Sequence, residues 1–210
     1  MLFVLTGDIQ SGKTRWLESL VQSLKRIGVT PYGVIAPGVW VDRRSNPGAY
    51  PHADVNGFEK LGIDNVLLPD NERIAFGRRA DLAREDGSYD LQSQSGKAKL
   101  GWSISDEAIA RVNGHFSSIR KMHAGCDDHK AKLLVIDELG QLELIRGGGL
   151  VQAVRALEDG PADAMPHALI VVREVLLPHL EGRFEKWGKH IEVRPDEQSL
   201  KQVLDSFLSA

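Results

Sequence analysis

The sequence predicts an α/β fold of three layers, with a mostly parallel central sheet and an antiparallel hairpin excursion. Three observations lead there. Apolar runs of strand length alternate with stretches whose apolar residues recur at helical spacing, the pattern of a parallel sheet covered on both faces. The first run passes through a glycine-containing loop straight into the first helical stretch. Residues 42–101 break the alternation, because Gly, Pro, Ser, Asp and Asn are frequent there and no helical period appears until the end.

In chain order, Leu2-Phe3-Val4-Leu5-Thr6 is the apolar run expected of a buried parallel strand. Trp16, Leu17, Leu20, Val21, Leu24 and Ile27 lie on one helical face, and Gly28 is placed to end that helix. Residues 32–37 read as a second strand, with 39–41 continuing it as extended chain. Within the excursion, 63–68 and 73–76 flank Pro69-Asp70-Asn71-Glu72, whose proline suits a turn, so a hairpin is expected. Residues 84–99 are expected to form a mobile loop. The excursion has too few apolar residues for a core of its own, so 1–210 is read as one domain. Helical order resumes at Ser103-Ile104-Ser105-Asp106, a weak capping-box pattern, with Ile104, Ala108, Ile109, Val112, Phe116 and Ile119 on one face. Leu133-Leu134-Val135-Ile136 is a second buried strand, ending in Asp137-Glu138. Its end is expected beside that of the first strand, where open α/β sheets bind ligands. A helix striped by Leu150, Val151, Val154 and Leu157 follows the glycine run 147–149. Residues 168–172 form a further strand leading into Arg173, 175–182 a short helix and 190–193 a last strand. Leu200, Val203, Leu204, Phe207 and Leu208 mark a closing helix that Asp196 can cap.

Composition bounds the function. A length of 210 residues is enough to bury a full core. The net charge of −3 offers no global basic field for nucleic acid or an anionic membrane, so neither is an expected partner. With Cys126 as the single cysteine, no internal disulfide can form, which fits a reducing compartment. No apolar run approaches the roughly 20 residues that cross a bilayer. The expected location is the cytoplasm, and the expected assembly a monomer or weak oligomer.

The chemistry concentrates in two places. Gly7-Asp8-Ile9-Gln10-Ser11-Gly12-Lys13-Thr14 reads G-x-x-x-x-G-K-T between a strand and a helix. That context lets backbone N–H groups of the loop and the helix N-terminus converge on phosphate oxygens. Lys13 adds positive charge near the β- and γ-phosphates, and Thr14 offers a hydroxyl to Mg²⁺. The second place is Asp137-Glu138. Side chains alternate along a strand, so adjacent acids at its end point differently. Asp137 suits the Mg²⁺ shell, and Glu138 suits a general base or a group that orients water. Arg173, at the end of a further buried strand, is a candidate internal arginine finger with a surface ion pair as its alternative.

Asp137-Glu138-Leu139-Gly140-Gln141-Leu142-Glu143-Leu144 is similar to the DEIGxMEL signature of the small nucleoside triphosphatases first described from thermophiles and also found in humans. Thr6 to Thr14 matches their phosphate loop, Val34 to Pro37 resembles their second strand, and Val171-Val172-Arg173-Glu174 is similar to a stretch in bacterial relatives. The resemblance implies a RecA-like P-loop NTPase fold and slow, Mg²⁺-dependent hydrolysis of ATP, GTP and other nucleoside triphosphates. By position it gives Lys13, Thr14, Asp137 and Glu138 the roles argued above. Gln10 stands where many such loops have glycine, Arg15 replaces a frequent threonine, and only Asn56-Gly57-Phe58 echoes the family's G-x-R-x-G-F segment. A small-molecule kinase and a nucleotide-gated binding protein are the alternatives. His123-x-x-Cys126-x-x-His129 lacks the second half of a zinc site. Arg43-Arg44 and Arg78-Arg79 read as solvated surface rather than anion sites, and Trp40 and Trp102 as packing residues.

Overall fold

The computed structural model of the chain describes residues 1–8, 10–45, 50–123 and 131–208. β1 (Leu2–Leu5) leads through the glycine loop into α1 (Lys13–Arg26) and back to β2 (Thr30–Ile35). β3 (Gly38–Asp42), β4 (Phe58–Leu68) and β5 (Glu72–Arg79) follow, then α2 (Ala80–Glu85), α3 (Gln94–Lys97) and β6 (Trp102–Ile104). The alternation resumes with α4 (Asp106–His123), β7 (Lys132–Ile136), α5 (Gln141–Leu144), α6 (Val151–Asp159) and β8 (His167–Val171). Two 3₁₀ helices (Glu174–Leu180 and Glu185–Trp187), β9 (Ile191–Val193) and α7 (Glu197–Leu208) complete the chain.

Among the described residues one sheet runs in the order β6-β5-β4-β2-β7-β8-β1-β9. From β2 to β9 every pairing is parallel. From β2 outward through β4, β5 and β6 every pairing is antiparallel, and β3 lies on the part of β4 beyond β2. The predicted mostly parallel α/β sheet with an antiparallel excursion is thus the observed one. Residues 39–41 belong to β3, a separate strand on β4, rather than to an extension of β2.

Alternation along each parallel strand makes two cores. Phe3, Leu5, Leu133 and Val135 meet Leu17, Leu20 and Leu24 of α1 on one face. Val4, Leu134 and Ile136 meet Val112, Phe116 and Ile119 of α4, with Ala153 and Leu157 of α6, on the other. β2 and β7 approach so closely at Gly33 that a Cβ there would stand 2.0 Å from the Val135 carbonyl oxygen. The predicted caps hold at the end of the chain, where Asp196 Oδ1 accepts the Ser199 N–H at 2.7 Å. At α4 the cap is Ser105, whose hydroxyl accepts the Ala108 N–H, and Ser103 and Ile104, expected at the start of the helix, instead lie in β6.

Residues 84–99 depart from the expected mobile loop, for they carry the end of α2 and all of α3. Polar side chains organise them. Ser93 accepts the Gly96 N–H at 3.1 Å, and the buried Ser95 hydroxyl accepts the Ile104 N–H at 2.9 Å. Gln94 Oε1 accepts the Gly149 N–H at 2.8 Å, fastening α3 to the loop before α6. No apolar period is needed for this, which is why hydropathy does not reveal it.

The arginine pairs hold the excursion together. Glu59 is only 4% exposed and lies between Arg43 Nε at 2.8 Å and Arg79 Nη1 at 2.7 Å. Burial pushes its pKa up, but the two guanidiniums outweigh that and hold the carboxyl below its usual range. Arg44 pairs with Asp42, and Arg78 with Asp86. Removing one member of a buried pair leaves an uncompensated charge, at a cost of about 3 kcal/mol or more. Glu59→Ala should therefore lower the unfolding free energy by roughly 3 kcal/mol in urea denaturation. A loss under about 0.5 kcal/mol, the scale of an exposed pair, would contradict this role.

Candidate functional site

The parallel strands place the site at their C-terminal ends. β8 intervenes between β1 and β7, so the glycine loop and Asp137 are two strand spacings apart, roughly 10 Å, rather than side by side as expected. The interposed strand ends just before Arg173 and puts that residue between them. Leu139 N–H, just past β7, donates to the Val171 carbonyl at 2.9 Å and locks the two strand ends in register.

The glycine loop turns through two left-handed residues, Gln10 (φ 61°) and Gly12 (φ 87°). Gln10 thus accepts a conformation that glycine adopts without strain. Gly12 caps α1, and Lys13 and Thr14 form its first turn. Lys13 Nζ donates to the carbonyls of Gly7 (2.8 Å) and Asp8 (2.5 Å) and to Ser11 Oγ (3.3 Å). Burial lowers its pKa, against the pull of Glu138 and Asp137. Ile9, which the motif assigns to phosphate binding, lies outside the described residues, as do Cys126 and His129 of the His/Cys pattern.

Asp137 is 5% exposed. Its Oδ2 accepts the Ala36 N–H at 2.8 Å, and the Thr14 side chain, in the first turn of α1, helps to hold its pKa down. One carboxylate therefore ties together the tips of β2 and β7 beside the first turn of α1. Burial pushes its pKa up to about 6, with the neighbouring Glu138 adding to the rise, against the Ala36 N–H and the charge of Lys60. Glu138, two residues past the end of β7, adopts φ +74°, a left-handed conformation outside the alternation of the strand. Arg173 Nη2 donates to Glu138 Oε1 at 2.5 Å, with both side chains over a third exposed. The residue expected as a finger or an ion pair is in an ion pair, and its partner is the predicted base.

Three supporting residues had no predicted role. Glu143 accepts the Gly140 N–H and the Leu150 N–H, both at 2.9 Å, and so staples the loop that follows Glu138. Burial raises its pKa as well. It needs glycine at 149, where φ is +64° and a Cβ would stand 1.9 Å from Glu143 Oε1. Its spacing within the Asp137–Leu144 signature was the available signal. Lys60 of β4 extends its ammonium over Trp102 (5.2 Å) and Trp40 (6.0 Å), so these tryptophans do more than pack. Burial lowers the Lys60 pKa while Glu138 and Asp137 raise it, so its charge is felt at the site.

No family model matches the chain, and no curated protein matches it in sequence. Solved structures do. A human cancer-related nucleoside triphosphatase matches with a TM-score of 0.56 and 18% identity, over 99% of this chain and 95% of that one. THEP1 from the hyperthermophile Aquifex aeolicus matches with a TM-score of 0.58 and 17% identity, over 100% of this chain and 98% of that one. The chain has a P-loop NTPase fold. Both neighbours are of the small nucleoside-triphosphatase kind that the sequence resembles. No helix among the described residues is long and apolar enough to cross a membrane.

Asp137 makes stability depend on pH. Its folded-state pKa lies above the unfolded value, so protonation favours folding, and that contribution is lost as pH rises through about 6. Asp137→Asn keeps the acceptor oxygen and removes the buried charge. At pH 8 the ligand-free variant should melt above wild type, and the difference should vanish toward pH 4. Equal melting temperatures across that range would contradict the burial argument.

Proposed function

We propose that the protein is a Mg²⁺-dependent nucleoside triphosphatase that splits the β–γ anhydride of ATP, GTP and other nucleoside triphosphates with water. The observation that carries the reading is the convergence of Lys13, Thr14, Asp137, Glu138 and Arg173 on one edge of the sheet. The likeness to the human cancer-related nucleoside triphosphatase supports it.

The residues fit Mg²⁺. A hydroxyl and a buried carboxylate with a raised pKa are hard oxygen donors, and the hydrogen bond seen to that carboxylate comes from a neutral backbone N–H. Thr14 and Asp137 would hold the ion, with substrate phosphates and water completing its shell. Bound there, Mg²⁺ supplies charge neutralisation on the β- and γ-oxygens. The backbone of Gly7 to Gly12 cradles the phosphates, and Lys13 exchanges loop carbonyls for phosphate oxygens. Glu138 takes a proton from the attacking water. Its ion pair with Arg173 is half-exposed, and such pairs contribute about 1 kcal/mol or less, so the guanidinium can move to the transferring phosphoryl group.

Phosphate release, measured with and without Mg²⁺ across the four nucleoside triphosphates, tests the reaction. Release should require Mg²⁺ and show little preference among bases; absence of release from all four would overturn the reading. Glu138→Gln should bind Mg²⁺–nucleotide nearly as wild type but turn over at least about 100-fold more slowly. Full turnover in that variant would place the base elsewhere. Arg173→Ala should lower kcat more than about tenfold with little change in affinity, because it loses an interaction made in the transition state. An unchanged kcat would leave Arg173 only its ion pair.

A further inference from the structure

Beyond Glu138, on the side away from the glycine loop, lies a pocket of about 330 Å³ that hydrolysis by water does not need. Its lining includes Asp137, Glu138 and Arg173, the aromatic rings of Phe76 and Trp102, and Asn65. Asn65 is 2% exposed, and no described residue hydrogen-bonds to its side-chain amide. Because Asn65 lines the pocket, that amide offers a donor and an acceptor to whatever enters it.

The strand register gives the span. Val66 of β4 pairs with Ile35, and Val34 of β2 pairs with Ile136. Continued by the same register, Asn65 falls opposite Ala36 and Ala36 opposite Glu138, which sets Asn65 roughly 10 Å from Glu138, two strand spacings away. Asn65 shares its sheet face with Leu67, which packs in the core under α4. The lining also takes in Lys99 to Trp102, next to the α3 segment that Gln94 fastens to Gly149.

These features select an occupant. Aromatic walls favour a flat ring. A carboxamide presents its N–H and C=O side by side and pairs with an edge that carries the complementary donor and acceptor, as every nucleobase does. Roughly 10 Å away, at the distance two strand spacings set, a hydroxyl on the same molecule would meet Glu138.

We propose that the pocket binds a nucleoside, with Asn65 reading its base edge and its ribose hydroxyl placed to accept the terminal phosphoryl group instead of water. The transfer step rests on the triphosphate reading given above. In it the hydroxyl oxygen bonds to the γ-phosphorus and the β–γ bridging bond breaks. Glu138 takes the hydroxyl proton, and a nucleoside diphosphate and a nucleoside monophosphate leave. The protein is then a phosphotransferase when the pocket is filled and a hydrolase when it is not.

Adenosine, guanosine, cytidine and uridine are the probes. Saturation-transfer NMR reports nucleoside binding without any triphosphate, and chromatography after adding Mg²⁺–ATP reports monophosphate formed. At least one nucleoside should bind and be phosphorylated. Asn65→Leu should weaken that nucleoside about tenfold or more. Val175→Trp, at a pocket-lining position that is 78% exposed and so tolerant of substitution, should block it by filling the pocket. If none of the four binds, or if binding is unchanged in both variants, the proposal is overturned. Phosphate release without nucleoside, read in the same assay, reports separately on the hydrolase reading, which stands or falls on that signal alone.

Discussion

The Asp137 carboxylate accepts the Ala36 N–H and lies beside the Thr14 side chain, and the geometry of the whole site depends on that placement. It ties the tips of the neighbouring strands β2 and β7 and sets them beside the start of α1, whose strand β1 lies on the far side of β8. The carboxylate is buried and accepts a neutral backbone N–H, so its charge is poorly compensated in the protein alone. The protein tolerates that penalty at the one position where a divalent cation and a polyphosphate would offset it. Functional sites commonly carry such local disadvantages.

Everything around this bond keeps it in place. β8 sends Arg173 to Glu138, Glu143 staples the loop behind Glu138, and Gly149 leaves room for Glu143. The excursion is part of the same sheet through β4 on β2. Its own rigidity comes from Glu59 between two arginines, and its contribution to the site is Lys60, Asn65 and Trp102. The parallel half of the sheet thus carries the glycine loop and Asp137, and the antiparallel half carries Lys60, Asn65 and Trp102 beside it.

The parallel half was legible in the sequence because apolar runs and helical stripes report burial directly. The glycine loop was legible because Gly12-Lys13-Thr14 has a fixed spacing set by phosphate geometry. Asp137 and Glu138 stand out as acids ending an apolar run. The order of strands was not legible. Periodicity says that Ala168 to Val171 is a buried strand, but not which neighbours that strand will choose, so the place of β8 between β1 and β7 came only from the structure. In the excursion, Ser93, Gln94 and Ser95 organise the chain by hydrogen bonds that leave no hydrophobic period. Asn65 reads as an ordinary strand polar residue until its burial and lack of a partner are seen together.

The central claim is that the loop before α1 binds the phosphates of a nucleoside triphosphate through Lys13. The most direct measurement is the affinity of a fluorescent triphosphate analogue for wild type and Lys13→Ala, with Mg²⁺ present. Lys13 gives up bonds to Gly7 and Asp8 for phosphate oxygens, so the account predicts binding by wild type and a loss of at least about tenfold in the variant. Wild-type affinity in Lys13→Ala would contradict it.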